Sequence, residues 1–414
     1  MKIVNAHAPK SLLEGFKVEG DLVHVDISLD GARIAHVAPA EPGAAGHDAH
    51  GGIVVPAFVD MHTHLDKGHI HPRTPNPDGT FMGALNATER DRKAHWSADD
   101  VARRMEFALR CAYHHGTVAI RTHIDSSPPQ DTISWPVLAE VRERWKSRIT
   151  LQAASLMPID EIPDDPAPLF DYVNGHGGIV GAVLYQADGM RETLRILMET
   201  AEARGQDIDF HVDETLDPTS NCLSAIAEEA KRIGFSGTIT AGHCCSLMTM
   251  DDDTAMATLD AVAEASIAVV SLPMCNLYLQ DRATERRRTP RVRGGTLVHE
   301  MAARGINVAI ASDNTRDPFY AYGDLDMAEV WREATRVLHL DHPVGDWPRA
   351  FSSTPAAIMG LADRDRLAPG APADLVMFRA REWTELFARP QTDRTVIRHG
   401  AMVDAPLPDY RELA

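Results

Sequence analysis

Eight short apolar segments recur along the middle of this chain, and most are separated by a stretch with helical periodicity. They cover 53–62, 117–125, 149–157, 179–186, 208–213, 238–243, 267–272 and 306–313, with helical stretches such as 98–112, 191–203, 221–233 and 254–265 between them. Several segments start just after a glycine able to end the preceding helix, namely Gly116, Gly178, Gly205, Gly237 and Gly305. Strand–helix alternation repeated in this way predicts an α/β fold with a closed parallel barrel, whose functional groups sit at the C-terminal ends of the strands. An open doubly wound sheet is the competing arrangement.

The two ends of the chain break the alternation. Residues 1–52 contain the segments 22–27 and 33–37 with Gly31 between them, and the tail contains 374–378 and 395–398 followed by His399 and Gly400. Short strands separated by turn residues read as hairpins. We therefore expect 1–52 and 361–414 to join in one small β domain and 53–360 to form the barrel.

The first barrel segment runs into MHTHLDK (61–67), where His62 and His64 stand one residue apart. Side chains repeat every second residue along a strand, so both imidazoles face one side, where a single metal ion could take both. Other segments acquire polar residues at the same end: His211 and Glu214 in DFHVDET, His243 in TAGHCC and Asp313 in ASDN. A buried histidine or aspartate among apolar neighbours is costly unless paired or ligated. Their joint position at strand ends points to a metal centre.

Charge and composition narrow the partners. A formal net charge of −19 repels phosphate backbones and anionic lipid, so neither nucleic acid nor membrane is expected, and a small neutral or cationic substrate fits better. Five cysteines and no apolar segment behind a basic N-terminus argue against a disulfide scaffold and against secretion; a reducing cytoplasm is the expected compartment. No run approaches the roughly 18 apolar residues of a membrane span.

The strings PAFVDMHTHLDK (56–67), RTHID (121–125), HVDE (211–214), GH (242–243), the stretch 312–319 with its SDN and DPF, and PGAPADLVMF (369–378) resemble the amidohydrolase superfamily, in particular its cytosine deaminase-like branch. The match runs in order over nearly the whole chain. This resemblance implies a distorted (β/α)8 TIM barrel with a small β-sandwich built from both termini. It also implies that His62, His64, His211 and Asp313 bind one divalent metal, zinc or else iron(II), while His243 hydrogen-bonds the water on that metal. Two-metal relatives use a carboxylated lysine at the end of strand four, but the segment here reads IVGAVLYQ (179–186), so one metal is expected. Family members commonly self-associate, which makes a homo-oligomer the expectation.

Such a ligand set leaves room for water, whose pKa zinc lowers from about 15.7 to about 7. His243 and Asp313 can orient that water and take its proton, and Glu214 can protonate a ring nitrogen as the adjacent carbon is attacked, so that ammonia leaves. The competing role for Glu214 is a helix start. Lys67 lies beyond the strand end and reads as structural, His69 and His71 as lid or surface residues, and Cys244 and Cys245 as buried small side chains. Arg282, Arg286, Arg287, Arg288, Arg291 and Arg293 could attract an anionic substrate but, with Asp281 and Glu285 interleaved, read rather as a solvated loop or subunit contact.

Substrate identity rests on departures from the branch. Ile159 stands where cytosine deaminases carry a glutamine, Asn314 where they carry a second aspartate, and Phe319 where they carry a tryptophan. Relatives acting on N-alkylated aminotriazines also look like SDN here. A substituted or more apolar cytosine-like ring is thus favoured, enclosed by Asn314, Phe319, Met157, Ile159 and, from the loop after strand one, Phe81 and Met82. The expected activity is a deaminase of such an aminopyrimidine-like ring; the alternatives are hydrolysis of an N-substituted aminotriazine or a cyclic amide, or a non-catalytic scaffold.

Overall fold

The structure, a computed structural model, describes residues 1–283, 288–364 and 366–414. Two compact units emerge: Met1–Asp60 with Arg110–Ala119 and Leu325–Asp409, and Met61–Leu109 with Ile120–Asp324 and Tyr410–Ala414.

Strands form where the sequence is rich in apolar and β-branched residues. Val180–Leu184, Ile208–Val212, Ile239–His243, Ala268–Ser271 and Val308–Ile310 line up in sequence order in one parallel sheet. Nearly all of their residues are buried, as expected for parallel strands covered on both faces. Phe58–Thr63, Thr117–Asp125 and Thr150–Leu156 form a second sheet in the same order. Isolated parallel bridges, Thr63 with Asp313 and Ala154 with Ile179, join the two sheets at both edges. Among the described residues the eight strands therefore follow one another in a ring, the order of a (β/α)8 barrel. Helices Ala98–His115, Asp131–Trp145, Ala167–Gly175, Met190–Ala203, Cys222–Ile233 and Asp252–Glu264 alternate with them.

Close approach of backbones fixes one position in this ring. A Cβ on Gly181 would stand 2.2 Å from the Asp209 carbonyl oxygen and 2.7 Å from that of Ser155. Ser155 Oγ in turn bonds the Gly181 amide at 2.9 Å and its carbonyl at 3.0 Å.

The expected first strand, 53–62, is divided. Val54–Pro56 pairs antiparallel with Leu375–Met377, and a separate strand begins at Phe58. Pro56 has no N–H to donate to a continuing ladder, which suits it to the end of a strand.

In the first unit, Arg33–Pro39, Leu22–Asp30, Lys2–Pro9 and His47–Asp48 form one four-stranded sheet. Ala401–Met402, Thr395–Arg398, Leu375–Met377 and Val54–Pro56 form another. Ile3, Val25 and Ile27 from the first and Val54, Leu375 and Ile397 from the second belong to one buried apolar cluster. Among the described residues no helix is long and apolar enough to cross a membrane.

Candidate metal centre

His62 ends the first barrel strand and His64 follows it; His211 lies on the fifth, and Asp313 lies just past the eighth. Their donor atoms converge. His62 Nε2 is 3.1 Å from His211 Nε2, which is 3.4 Å from His64 Nε2. Asp313 Oδ1 lies 3.2 Å from His64 Nε2 and 3.6 Å from His62 Nε2. Nitrogen ligands at 2.0–2.1 Å from a tetrahedral cation stand about 3.3 Å from one another, so the spacing fits one ion. Burial first, and then the crowding of neighbouring histidines, joined by Lys67 for His64 and His211, holds all three imidazoles well below the usual histidine range. They are neutral and offer lone pairs. Room for the His62 ring depends on Gly242 of the sixth strand, where a Cβ would come within 2.8 Å of His62 Cε1.

A second group of residues faces this cluster. His243 closes the sixth strand, and its ring centre is 5.3 Å from that of His62 and 5.1 Å from that of His211. Burial pushes its pKa down to about 3, so it too is neutral. Its Nε2 is buried without a hydrogen-bond partner, while Nδ1 sits 3.1 Å from Asn276 Nδ2. The same Asn276 amide nitrogen donates to Glu214 Oε1 at 3.2 Å. Burial, and next the nearby Asp313 carboxylate, push the Glu214 carboxyl well above the ordinary range.

Glu214 is free for this place because its neighbour does the capping. Asp213 accepts from the amides of Cys222 and Leu223 at 3.1 and 3.0 Å, closing the N-terminus of helix Cys222–Ile233. Asp213, His243 and Asp313 all have left-handed backbone angles, with φ of 50°, 70° and 65°. Such conformations in non-glycine residues concentrate where surrounding structure imposes them, as at functional sites.

Three residues without an assigned role in the sequence reading, Arg121, His123 and Asp209, form a buried polar set beside the histidine cluster. His123 Nε2 is 3.1 Å from Asp209 Oδ1, and Arg121 Nη1 donates to Asp209 Oδ2 at 2.8 Å. Burial alone would raise Asp209, but His123 and Arg121 outweigh it and the carboxyl lies below its usual range. The His123 ring lies 4.0 Å, centre to centre, from His62. The signal was the period of two: Arg121 and His123, like Asp209 and His211, share a strand face. Asn276, on the short helix Pro273–Leu279 after the seventh strand, had no comparable signal.

Other expected site residues are placed as follows. The Asn314 amide nitrogen donates to Asp317 Oδ2 at 2.7 Å and its Oδ1 accepts from the Cys275 thiol at 3.5 Å, so both ends of the amide have partners within the chain. Phe319 is buried, 5.5 Å from the Phe81 ring and 5.4 Å from the Lys67 ammonium. Phe81 does not sit in a loop: it opens helix Phe81–His95, because Thr80 caps that helix by accepting from Gly83 at 2.9 Å. Met82 is 57% exposed, so it encloses nothing in this structure. Met157 and Ile159 are buried just past the third strand.

Lys67 is buried against Asp125 at 3.1 Å; burial disfavours its charge, but Asp125, Asp66 and Asp317 outweigh that and raise its pKa. His69 is not a surface residue, being packed 4.9 Å from the Phe107 ring and only 5% exposed. His71 is half-buried. Cys244 and Cys245 are buried as expected. In the arginine-rich loop, Arg288 pairs with Asp281 and Arg293 donates to the Leu277 carbonyl at 2.9 Å, while Arg286 and Arg287 lie outside the described residues.

Comparison with known proteins gives a consistent relationship. Residues 181–404 match the profile described as the Amidohydrolase family. The chain is 53% identical over 418 residues to a protein named pterin deaminase from Rhizobium rhizogenes strain K84, covering 99% of this chain and 95% of that one. A solved structure of 5-methylcytosine deaminase from Klebsiella pneumoniae, with 5-fluorocytosine, superposes with a TM-score of 0.85 at 25% identity, covering 99% of this chain and 98% of that one. N-isopropylammelide isopropylaminohydrolase from Burkholderia multivorans shares the fold, with a TM-score of 0.75, 24% identity and 97% of each chain covered.

Proposed function

Because this chain belongs to the amidohydrolase family, on its cytosine deaminase-like branch, we propose that it is a metal-dependent hydrolytic deaminase of an aminopyrimidinone ring, with a fused bicyclic ring of the pterin kind as first choice. As a family member it is a hydrolase acting on C–N bonds other than peptide bonds. The observation that carries the reading is the convergence of three imidazoles and Asp313 beside a carboxyl, Glu214, whose pKa burial and Asp313 push well above the ordinary range. The bicyclic ring is supported by the 53% identity to a protein named pterin deaminase.

In this reading His62, His64, His211 and Asp313 hold one divalent cation, zinc first and iron(II) second. The cation's contribution is to acidify a water molecule, so that hydroxide is available at neutral pH. His243, its ring held by Asn276 at Nδ1, would orient that water through its unpartnered Nε2. Glu214 gives its proton to the ring nitrogen next to the attacked carbon. Once ionised, it takes the proton of the hydroxyl added at the attacked carbon and passes it to the exocyclic amino nitrogen; the carbon–nitrogen bond breaks as the carbonyl forms, ammonia leaves, and the proton that the water gave up in becoming hydroxide returns to Glu214. Phe319 and Phe81, with Met157 and Ile159, supply apolar wall for the ring, and Asn314 contributes through the loop it fixes with Asp317. The same reading takes 53–360 as the catalytic domain and expects a homo-oligomer.

A product assay over pterins, aminopyrimidines, aminotriazines and lactams tests it. Ammonia release from the aminopyrimidinones is expected; alkylamine release or ring opening as the faster reaction would replace this reading with one of its alternatives.

A further inference from the structure

We propose that Cys275, Glu214 and Asp313 form a second, sulfur-containing metal site that shuts the enzyme off when zinc or cadmium is present in excess. Cys275 lies on helix Pro273–Leu279, and its Sγ, one Glu214 oxygen and one Asp313 oxygen all stand within 4.8 Å of one another. The thiol is fully buried, with contacts to Asn314 Oδ1 at 3.5 Å and the Phe319 carbonyl at 3.8 Å. Independently, Asn276, only 1% exposed, joins Glu214 through Nδ2 at 3.2 Å while its Oδ1 stays buried without a hydrogen-bond partner. A buried amide oxygen without a partner, on the residue next to Cys275, is a donor of the kind a divalent ion takes.

The donor set differs in kind from the first. Three imidazoles and a carboxylate oxygen suit a catalytic zinc or iron ion, whereas one sulfur with carboxylate oxygens favours zinc and cadmium over harder cations. Asp313 is the shared residue, since a carboxylate has two oxygens and can bridge. Binding exchanges the Cys275 thiol proton and the Glu214 carboxyl proton for the ion, and both protons leave to solvent; no electron transfer is involved. Occupation removes the group that protonates the substrate ring, so the loss of turnover rests on the role given to Glu214 above. The existence of the site does not.

The experiment uses the full-length protein carrying one equivalent of zinc. Cadmium is added while the ultraviolet sulfur-to-cadmium charge-transfer band is followed, and zinc is added in a parallel series while turnover is measured. Wild type is expected to gain the band with one further equivalent and to lose turnover about 10²-fold or more, the size of a missing acid–base group. Cys275→Ser and Cys275→Ala should lack that gain and keep turning over through the same zinc series, whereas Cys245→Ser, altering a neighbouring buried thiol, should behave as wild type. Retention of the first zinc equivalent by each variant shows that its fold is intact. The proposal is overturned if the band persists without Cys275, if Cys245→Ser abolishes it, or if the Cys275 variants are inhibited as strongly as wild type. The band alone decides the ligand set, so a failure to identify the substrate leaves that part of the test standing.

Discussion

A carboxyl withdrawn from water and placed beside another carboxylate holds its proton, and Glu214 is such a group. Glu214→Gln keeps the shape and removes the exchangeable proton; kcat is expected to fall about 10² to 10⁴-fold, with metal content measured by elemental analysis unchanged. Near wild-type turnover in that variant would remove Glu214 from the mechanism. The direction of its pKa also fixes a pH profile. The protonated form is the one that gives its proton to the ring, so kcat/KM should show an alkaline limb that falls as pH rises through the elevated pKa, with Glu214→Gln lacking that limb. An increase in kcat/KM over the same alkaline range would contradict the assignment. At this scale the sequence was informative where the chain repeats its period of two, at His62 and His64 or at His211. It was silent for Asn276, whose importance comes from touching His243 and Glu214 at once, a contact between distant segments that no local pattern encodes. His69 misled for a related reason: its burial comes from Phe107, far along the chain.

Strand spacing sets where these side chains point. Gly181 permits the fourth strand to lie against its neighbours' carbonyls, and Gly181→Ala should destabilise the protein by at least about 1–3 kcal/mol, read as a lower thermal midpoint, because the added methyl has only backbone to displace. An unchanged midpoint would show that the strands there are less tightly spaced. The barrel strands were legible because parallel strands buried on both faces read as uninterrupted apolar runs, and Thr117–Asp125 has the expected limits. The break after Pro56 was not legible as such, since the apolar run continues across it from Val54 to Val59 and the two strands differ in their partners. Helix Phe81–His95 was missed because its mean hydropathy is low and it carries little apolar periodicity, while its Thr80 cap was there to be read.

Across the whole molecule, buried imidazoles that lack a cation are neutral groups set lone pair to lone pair, and a bound ion favours the folded state that assembles them. Metal at about 100 times its dissociation constant would add about 2.7 kcal/mol of stability. Chelator-treated protein is therefore expected to melt at a lower temperature and to recover with zinc, and equal midpoints for the two forms would argue against a shared ion. The surface charge of −19 belongs to this scale as well, and it was readable from composition alone. What composition could not supply was the substrate, because in the proposed reading ring recognition would draw on side chains from separate elements, Phe81 and Phe319 among them, which meet at 5.5 Å. The most direct test of the account is to strip the protein with a chelator, restore one equivalent of zinc or iron(II) per chain, and measure ammonia release from an aminopyrimidinone at each stage. Activity should vanish with the metal and return at one equivalent per chain in wild type but not in His211→Ala. Full activity in the stripped protein, or in the stripped His211→Ala variant, would contradict it.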